Sequence, residues 1–308
     1  MRRTEPIFNL MTPLLFAHRG GAREAPESTV KAFGHALEKA KADVLELDVQ
    51  LTKCGEFVVW HGPELSNVRI EGQSDRPRHR QRNRIEEFEW QELDGNAWVA
   101  DPGIRGHPEE DIDLSAVPQE ADRCLLSLAS LLAVFPHAPL NIDMKPTFER
   151  RIPEAGRTGL EDNIRAFLEI LERDPGRRSI VVVSADHEFV HKFRKLSSAG
   201  FPTGLSAREQ LLFRLFGFDM RNRALETPHN KCLSGRRIIQ KARAAGGSTF
   251  VFLTGYGRFL PAMDDGLPSD RKIFDILNRG VDGIMTDRPQ KVRQIINQWV
   301  KTRDGQPF

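Results

Sequence analysis

The chain has 308 residues, with 45 lysines and arginines against 43 acidic residues, a formal charge of +2 and a hydrophobic share of 39%. That apolar share excludes a disordered chain, and the near-neutral balance excludes a dedicated polyanion binder, so no nucleic-acid partner is expected. Cys54, Cys124 and Cys232 are widely spaced with no CxxC pair, which excludes a disulfide framework or zinc knuckle and fits a reducing, cytoplasmic setting.

From the N-terminus, MRRTEPIFNLMTPLLF starts basic and turns apolar, but Thr12 and Pro13 interrupt it. A secretory leader needs a continuous apolar stretch and a small-residue cleavage site, so Leu14 to Ala17 is read as a first strand. A helix opens near Ser28 or Thr29, with Val30, Phe33, Leu37 and Ala40 three or four apart. VLELDVQLT (Val44 to Thr52) follows as a strand, and EFVVWH (Glu56 to His61) continues it or pairs with it. Beyond a long interval, the helix Leu128 to Phe135 precedes the strand Leu140 to Lys145. A helix around Asn163 to Leu171 precedes the strand Ser179 to Asp186. The next helix buries Phe189, Val190, Phe193 and Leu196. Pro202 to Ala207 and Ala224 to Thr227 are short strand candidates. Thr249 to Gly255 and Asp282 to Asp287 finish the series, and a helix runs from Gln290 to about Val300.

Roughly eight strand-then-helix units in about 300 residues predict an α/β fold, a (β/α)8 TIM barrel forming one domain. Polar residues fall in or after several strands: His18, Glu46, Asp48, His61, Asp143, Lys145, Ser184 and Asp287. A barrel converges strand ends on one mouth, whereas an open sheet converges them only near its switch point. The charged stretch at about 62–126 breaks the alternation and reads as an insertion on the catalytic face, a small cap.

Glu46 and Asp48 sit two apart in an apolar strand, so both side chains share one face. Two buried carboxylates are costly without a cation. One divalent cation, Mg²⁺ or Ca²⁺, would neutralise them through hard oxygen ligands, as would Mn²⁺; a salt bridge, for instance with Arg19, would do so structurally. Asp143 and Lys145 repeat the spacing, as a third oxygen ligand beside a cation for an anion, or as a plain ion pair. His18 and His61 each end a strand-like run and suit acid–base work near neutral pH.

In that order, HRG, APEST, ELDVQLTKCGEFVVWH, NIDMK and GVDGIMTDRP resemble the glycerophosphodiester phosphodiesterase family over about Phe16 to Pro289. The resemblance implies a TIM barrel and metal-dependent hydrolysis of glycerophosphodiesters to glycerol 3-phosphate and an alcohol. It further implies His18 and His61 as the acid–base pair and Arg19 as the phosphate clamp. Glu46, Asp48 and Asp143 are then metal ligands, Glu27 binds the glycerol end or the metal shell, and Lys145 neutralises phosphate charge.

Four places depart from the family pattern. PEN is PES at Ser28, HD is HG at Gly62, the TxDG turn is TKCG at Cys54, and WTxN is LTGY over Leu253 to Tyr256. These changes predict altered recognition of the alcohol end, with Tyr256 as a candidate wall of the substrate pocket. LLFRLFGF (Leu211 to Phe218), with Arg208, Arg214, Arg221 and Arg223 around it, is either a barrel helix packing its core face or a peripheral membrane contact over 208–223. RPRHRQRNR (Arg76 to Arg84) reads as a solvated basic loop. The partner is a small-molecule or lipid-derived phosphodiester. Two alternatives remain: a lysophospholipase D-type enzyme on membrane lysophospholipids, and a non-catalytic anion-binding relative.

Overall fold

The computed structural model describes residues 7–8, 13–65, 67–72, 83–101, 117–173, 179–229, 233–253 and 267–304. Its elements run β1 (Leu14–His18), α1 (Val30–Glu38), β2 (Val44–Leu51), β3 (Phe57–Val59), β4 (Val68–Ile70), α2 (Trp90–Leu93) and β5 (Ala97–Val99). They continue α3 (Leu128–Val134), β6 (Leu140–Met144), α4 (Leu160–Glu172), β7 (Ile180–Val183), α5 (His187–Leu196), β8 (Thr203–Gly204) and α6 (Ala207–Leu215). The last are β9 (Arg223–Pro228), α7 (Arg236–Ala244), β10 (Ser248–Phe252), α8 (Asp270–Asn278), β11 (Gly283–Thr286) and α9 (Pro289–Asp304).

Eight strands pair in parallel in the order β1, β2, β6, β7, β8, β9, β10, β11, and β11 returns to β1. This closed ring with helices between its strands is the predicted TIM barrel. Closure removes both sheet edges and buries each strand on two faces, which explains why all eight residues of β2 are buried. Helix starts follow local chemistry. The Thr29 hydroxyl accepts from the Ala32 N–H at 3.2 Å, Ser127 accepts from Ser130, and Ser206 and Glu209 form a capping box before α6. Each satisfies donors that a helix N-terminus leaves open.

Three details differ from the sequence reading. The strand expected at Pro202 to Ala207 is only Thr203–Gly204, because Ser206 is taken up as a helix cap. The short candidate at Ala224 to Thr227 extends to Arg223–Pro228, held by a five-pair register with β10. Helices α7 and α8, which the sequence reading did not name, bury Ile239 and Ala242 in one and Ile273, Ile276 and Leu277 in the other.

EFVVWH contributes β3, which runs antiparallel to β2 with Val49 opposite Val59. The stretch that follows holds a two-stranded antiparallel sheet, β4 with β5. Its buried cluster joins Val58 and Trp60 to Leu65, Val68, Ile85, Phe88, Leu93, Val99 and Leu125. The chain enters this stretch from the end of β3, where Val59 lies opposite Val49 of β2.

Period two stacks the barrel interior in layers. On β1, Leu14, Phe16 and His18 share the inward face. Phe16 and Phe250 lie 4.6 Å apart at their centroids, with Phe8 plugging them from below at 5.7 and 6.0 Å. A Cβ on Gly283 would meet the Phe16 ring at 2.5 Å, so the bare backbone of β11 makes room for that pair. One layer up, charge begins.

Candidate active site

The first turn after β1 sets the mouth. Arg19 takes a left-handed backbone, φ 53°, and its N–H donates to Glu46 Oε2 at 3.0 Å. A Cβ on Gly20 would fall 2.7 Å from Ala32 Cβ, so the HRG turn packs α1 too closely for any other residue. Ser28, where the family pattern has asparagine, is buried and also left-handed at φ 60°. Asparagine tolerates that conformation better than serine does. The turn is therefore kept at some cost, tied by the Ser28 N–H to the Arg19 carbonyl at 2.9 Å.

Arg19 Nε lies 3.0 Å from Asp48 Oδ2, and Arg19 Nη1 lies 3.2 Å from Glu27 Oε2. Lys145 Nζ spans Asp48 Oδ1 at 2.7 Å and Asp143 Oδ2 at 2.6 Å. The register Glu46↔Asn141 and Asp48↔Asp143 between β2 and β6 brings these groups to one level. His18 Nδ1 donates to Asp287 Oδ1 at 2.6 Å, and Nε2 lies 3.8 Å from Glu46. The site residues on β1, β2 and β6 expected from sequence thus converge.

Reaching the mouth from the insertion side, His61 follows β3. The Gln50 amide donates to the Trp60 carbonyl at 3.2 Å and to that of Gly62, gripping the chain on both sides of His61. His61 is near enough to feel Asp48, Arg19, Lys145 and His18. Tyr256 lies outside the described residues, as do most of Arg76 to Arg84 and Cys232. Cys54 and Cys124 are free thiols.

Electrostatics follow from burial and count. Five carboxylates, Glu27, Glu46, Asp48, Asp143 and Asp287, share the mouth with two permanent cations, Arg19 and Lys145. Burial and Asp48 push Glu46 up to about 7 against the pull of His18 and Arg19. Burial also raises Asp143, although Lys145 opposes it. Asp48, despite burial, is held far below its usual range by Lys145 and Arg19. Burial disfavours charge on His18, yet Glu46 and Asp287 outweigh it and raise the imidazole. Burial lowers His61 to about 4.

That surplus of buried negative charge fits a hard divalent cation. Among the described residues no three His, Cys, Asp or Glu side chains already form a cage, and the Lys145 ammonium holds Asp48 and Asp143 together. The donors suit the ion in chemistry and number, with Lys145 as the group that would have to turn aside.

Sequence reasoning missed four residues with work here. Asp287 was placed at a strand end but given no role, and it orients His18. Gln50 continues the period of Glu46 and Asp48, which was its signal. Asn141 and Glu226 pair inside the barrel, Nδ2 to Oε1 at 2.6 Å, and burial pushes Glu226 up to about 8. An acid inside the strand ALETP was the available sign.

A cavity of about 160 Å³ adjoins Asp143 and Lys145. Met144, Phe148, Leu160 and Phe189 make its apolar wall, and Ser184, Glu149 and Asp186 its polar edge.

A glycerophosphodiester phosphodiesterase of Caldanaerobacter subterraneus subsp. tengcongensis is 53% identical over 51 residues, 17% of this chain and 21% of that protein. The alignment thus spans about a fifth of that relative's length. Human lysophospholipase D GDPD1 is 25% identical over 306 residues, 92% of this chain and 86% of that protein. An Oleispira antarctica phosphodiesterase, solved in complex with the product sn-glycerol-3-phosphate, superposes with a TM-score of 0.64 at 19% identity, covering 92% of this chain and 97% of the other; at that identity the likeness speaks to fold. Residues 18–291 match the model of the glycerophosphoryl diester phosphodiesterase family, and the chain belongs to that family of phosphoric diester hydrolases.

Proposed function

We propose that the protein hydrolyses glycerophosphodiesters to glycerol 3-phosphate and an alcohol. The observation that supports this most is the gathering of two histidines, two fixed cations and surplus carboxylates at one barrel mouth. Glu46, Asp48 and Asp143 would hold one Mg²⁺ or Ca²⁺. When bound, that ion supplies Lewis-acid stabilisation of charge on the phosphoryl oxygens.

This chain's own groups do the rest. Arg19 and Lys145 receive the anionic phosphate oxygens, exchanging part of their carboxylate contacts for it. Glu27, beside Arg19, accepts from glycerol hydroxyls. His61 takes the proton from the nucleophile, water or the neighbouring glycerol hydroxyl. His18, held through Nδ1 by Asp287, presents Nε2 and gives a proton to the departing alkoxide, a poor leaving group otherwise. The cavity beside Lys145 receives the alcohol.

Its apolar wall of Phe148, Leu160 and Phe189 favours a second reading, in which that cavity takes the acyl chain of a lysophospholipid instead of the alcohol and the headgroup alcohol is released elsewhere at the mouth. The test is release of glycerol 3-phosphate from glycerophosphocholine, with EDTA and then with Mg²⁺ or Ca²⁺ restored. Metal-dependent release is expected, and its loss in His18→Ala. Choline freed only from lysophosphatidylcholine would replace the first reading with the second. Silence on both substrates, with metal present, would overturn both.

A further inference from the structure

Helix α6 carries large apolar residues on both its inner and its outer side. Phe213 points inward and is fully buried, while Leu211, Leu215 and the capping Phe216 are 59%, 63% and 79% exposed and Leu212 joins them. Spacing of 211, 212, 215 and 216 makes one outward stripe. Only six large hydrophobics are exposed among the described residues, and these are four of them. Helix α8 shows the ordinary pattern, exposing Asp270, Arg271, Asp275 and Asn278.

Charge around the stripe is one-sided. From His187 at the start of α5 to Ala244 at the end of α7 the chain has twelve lysines and arginines against four acids, a net charge of +8, which leaves −6 for the rest. The four acids are spoken for. Glu188 pairs with Lys192, Glu209 with Arg194 and Asp219 with Arg221, while Glu226 is inside the barrel. Lys195, Arg208, Arg236 and Arg237 have no carboxylate partner among the described residues.

We propose that this flank of the barrel docks onto an anionic lipid surface. The leucines and Phe216 enter the acyl boundary while the surrounding lysines and arginines meet lipid phosphates, the two-part attraction that interfacial binding needs. Charge argues against a second copy of the chain. A two-fold contact through the stripe would set one +8 flank against another. Because α6 starts where β8 ends, its first turn is beside the mouth and the stripe occupies its C-terminal half, farther down the outer wall, so docking through the stripe does not cover the mouth. The inference is independent of which diester is cleaved.

The experiment is co-sedimentation with vesicles of mixed phosphatidylglycerol and phosphatidylcholine, against pure phosphatidylcholine, at low and raised salt. The wild-type protein is expected to sediment with the anionic vesicles and to release as salt rises. In Leu215→Ser/Phe216→Ser the partition coefficient should fall at least about tenfold, and in Arg208→Glu/Arg237→Glu it should lose its preference for anionic lipid. Both variants should keep wild-type melting temperature and hydrolysis of the water-soluble diester, because none of these residues touches the mouth. Absence of wild-type binding, or binding that the apolar variant retains, would overturn the proposal. So would a wild-type dimer in solution that Leu215→Ser/Phe216→Ser dissolves, which would assign the stripe to a second copy.

Discussion

At its lower end the barrel interior is filled by Leu14, Phe16, Val44, Phe250 and Met285, with Phe8 beneath them. Two residues beyond Phe16, Val44 and Met285 stand His18, Glu46 and Asp287, and Asp48 and Asp143 join them at the mouth. The inward period is the same, but the side chains differ, and at the mouth Asp143 and Asp287 keep about a quarter of their side-chain surface exposed. Below, rings at 4.6 Å gain from apolar burial and dispersion. Above, the charges have lost much of their water, and opposite charges at 2.6–3.2 Å repay only part of that cost. The lower layer holds the barrel together so that the upper one can be kept in a costly arrangement.

If that division is right, His18→Ala should show the largest separation of the two properties. Diester hydrolysis should fall about 10³-fold or more, within the range for losing a general acid–base group. Melting temperature should fall by only a few degrees, since the loss of the contacts to Glu46 and Asp287 is offset in part by removal of the imidazole's desolvation cost. A large drop in melting temperature with activity per folded molecule retained would invert the comparison. Phe250→Ala is the mirror experiment. It should cost about 3–5 kcal/mol in urea unfolding, with turnover per folded molecule near wild type.

The lower and upper layers were not equally legible in the sequence. Alternation of apolar strands with helical periods carried the barrel, and the period-two pairs Glu46/Asp48 and Asp143/Lys145 carried the level at which charge collects. Distances across the ring were not legible, because nothing local links Asp287 to His18, 269 residues apart, or Asn141 to Glu226. Helix α6 showed its limit differently. LLFRLFGF was consistent with a core-facing helix, yet only Phe213 of its apolar residues turns fully inward, because a run apolar on every side carries no direction for periodicity to read.

Asp287→Asn should have a smaller effect than loss of His18 itself. Removing the carboxylate takes away the contact that orients the ring and one of the charges that raises its pKa. Hydrolysis should fall about 10–100-fold, on the scale of other supporting carboxylates behind a working histidine. The sign of the pH effect follows. With His18 protonated as the donor, activity is lost as pH rises through its pKa. A lowered pKa moves that alkaline limb of kcat/KM to lower pH, and a variant whose limb does not move would separate Asp287 from His18. His61, burial-lowered to about 4, should set the acid limb and leave it unchanged in the variant.

The smallest expected effect lies where the two layers meet, at Glu226. Burial drives its pKa from 4.5 up to about 8; Asp143 and Glu46 push the same way, and the Asn141 amide and Lys145 pull against them. Between about 4.5 and 8 the unfolded chain has lost a proton that the folded chain keeps, so this residue makes stability fall as pH rises. Glu226→Gln removes the titration, and the substituted amide oxygen can still accept from Asn141. Urea midpoints should therefore decline less with pH in the variant, which should be more stable at pH 8 by about 2 kcal/mol, well under the full linkage value because water reaches the mouth just above. At pH 4.5 the two proteins should nearly coincide. Parallel curves would mean that Glu226 ionises in the folded state, and the boundary between the apolar and the charged layer would then lie below β9's acid instead of at it.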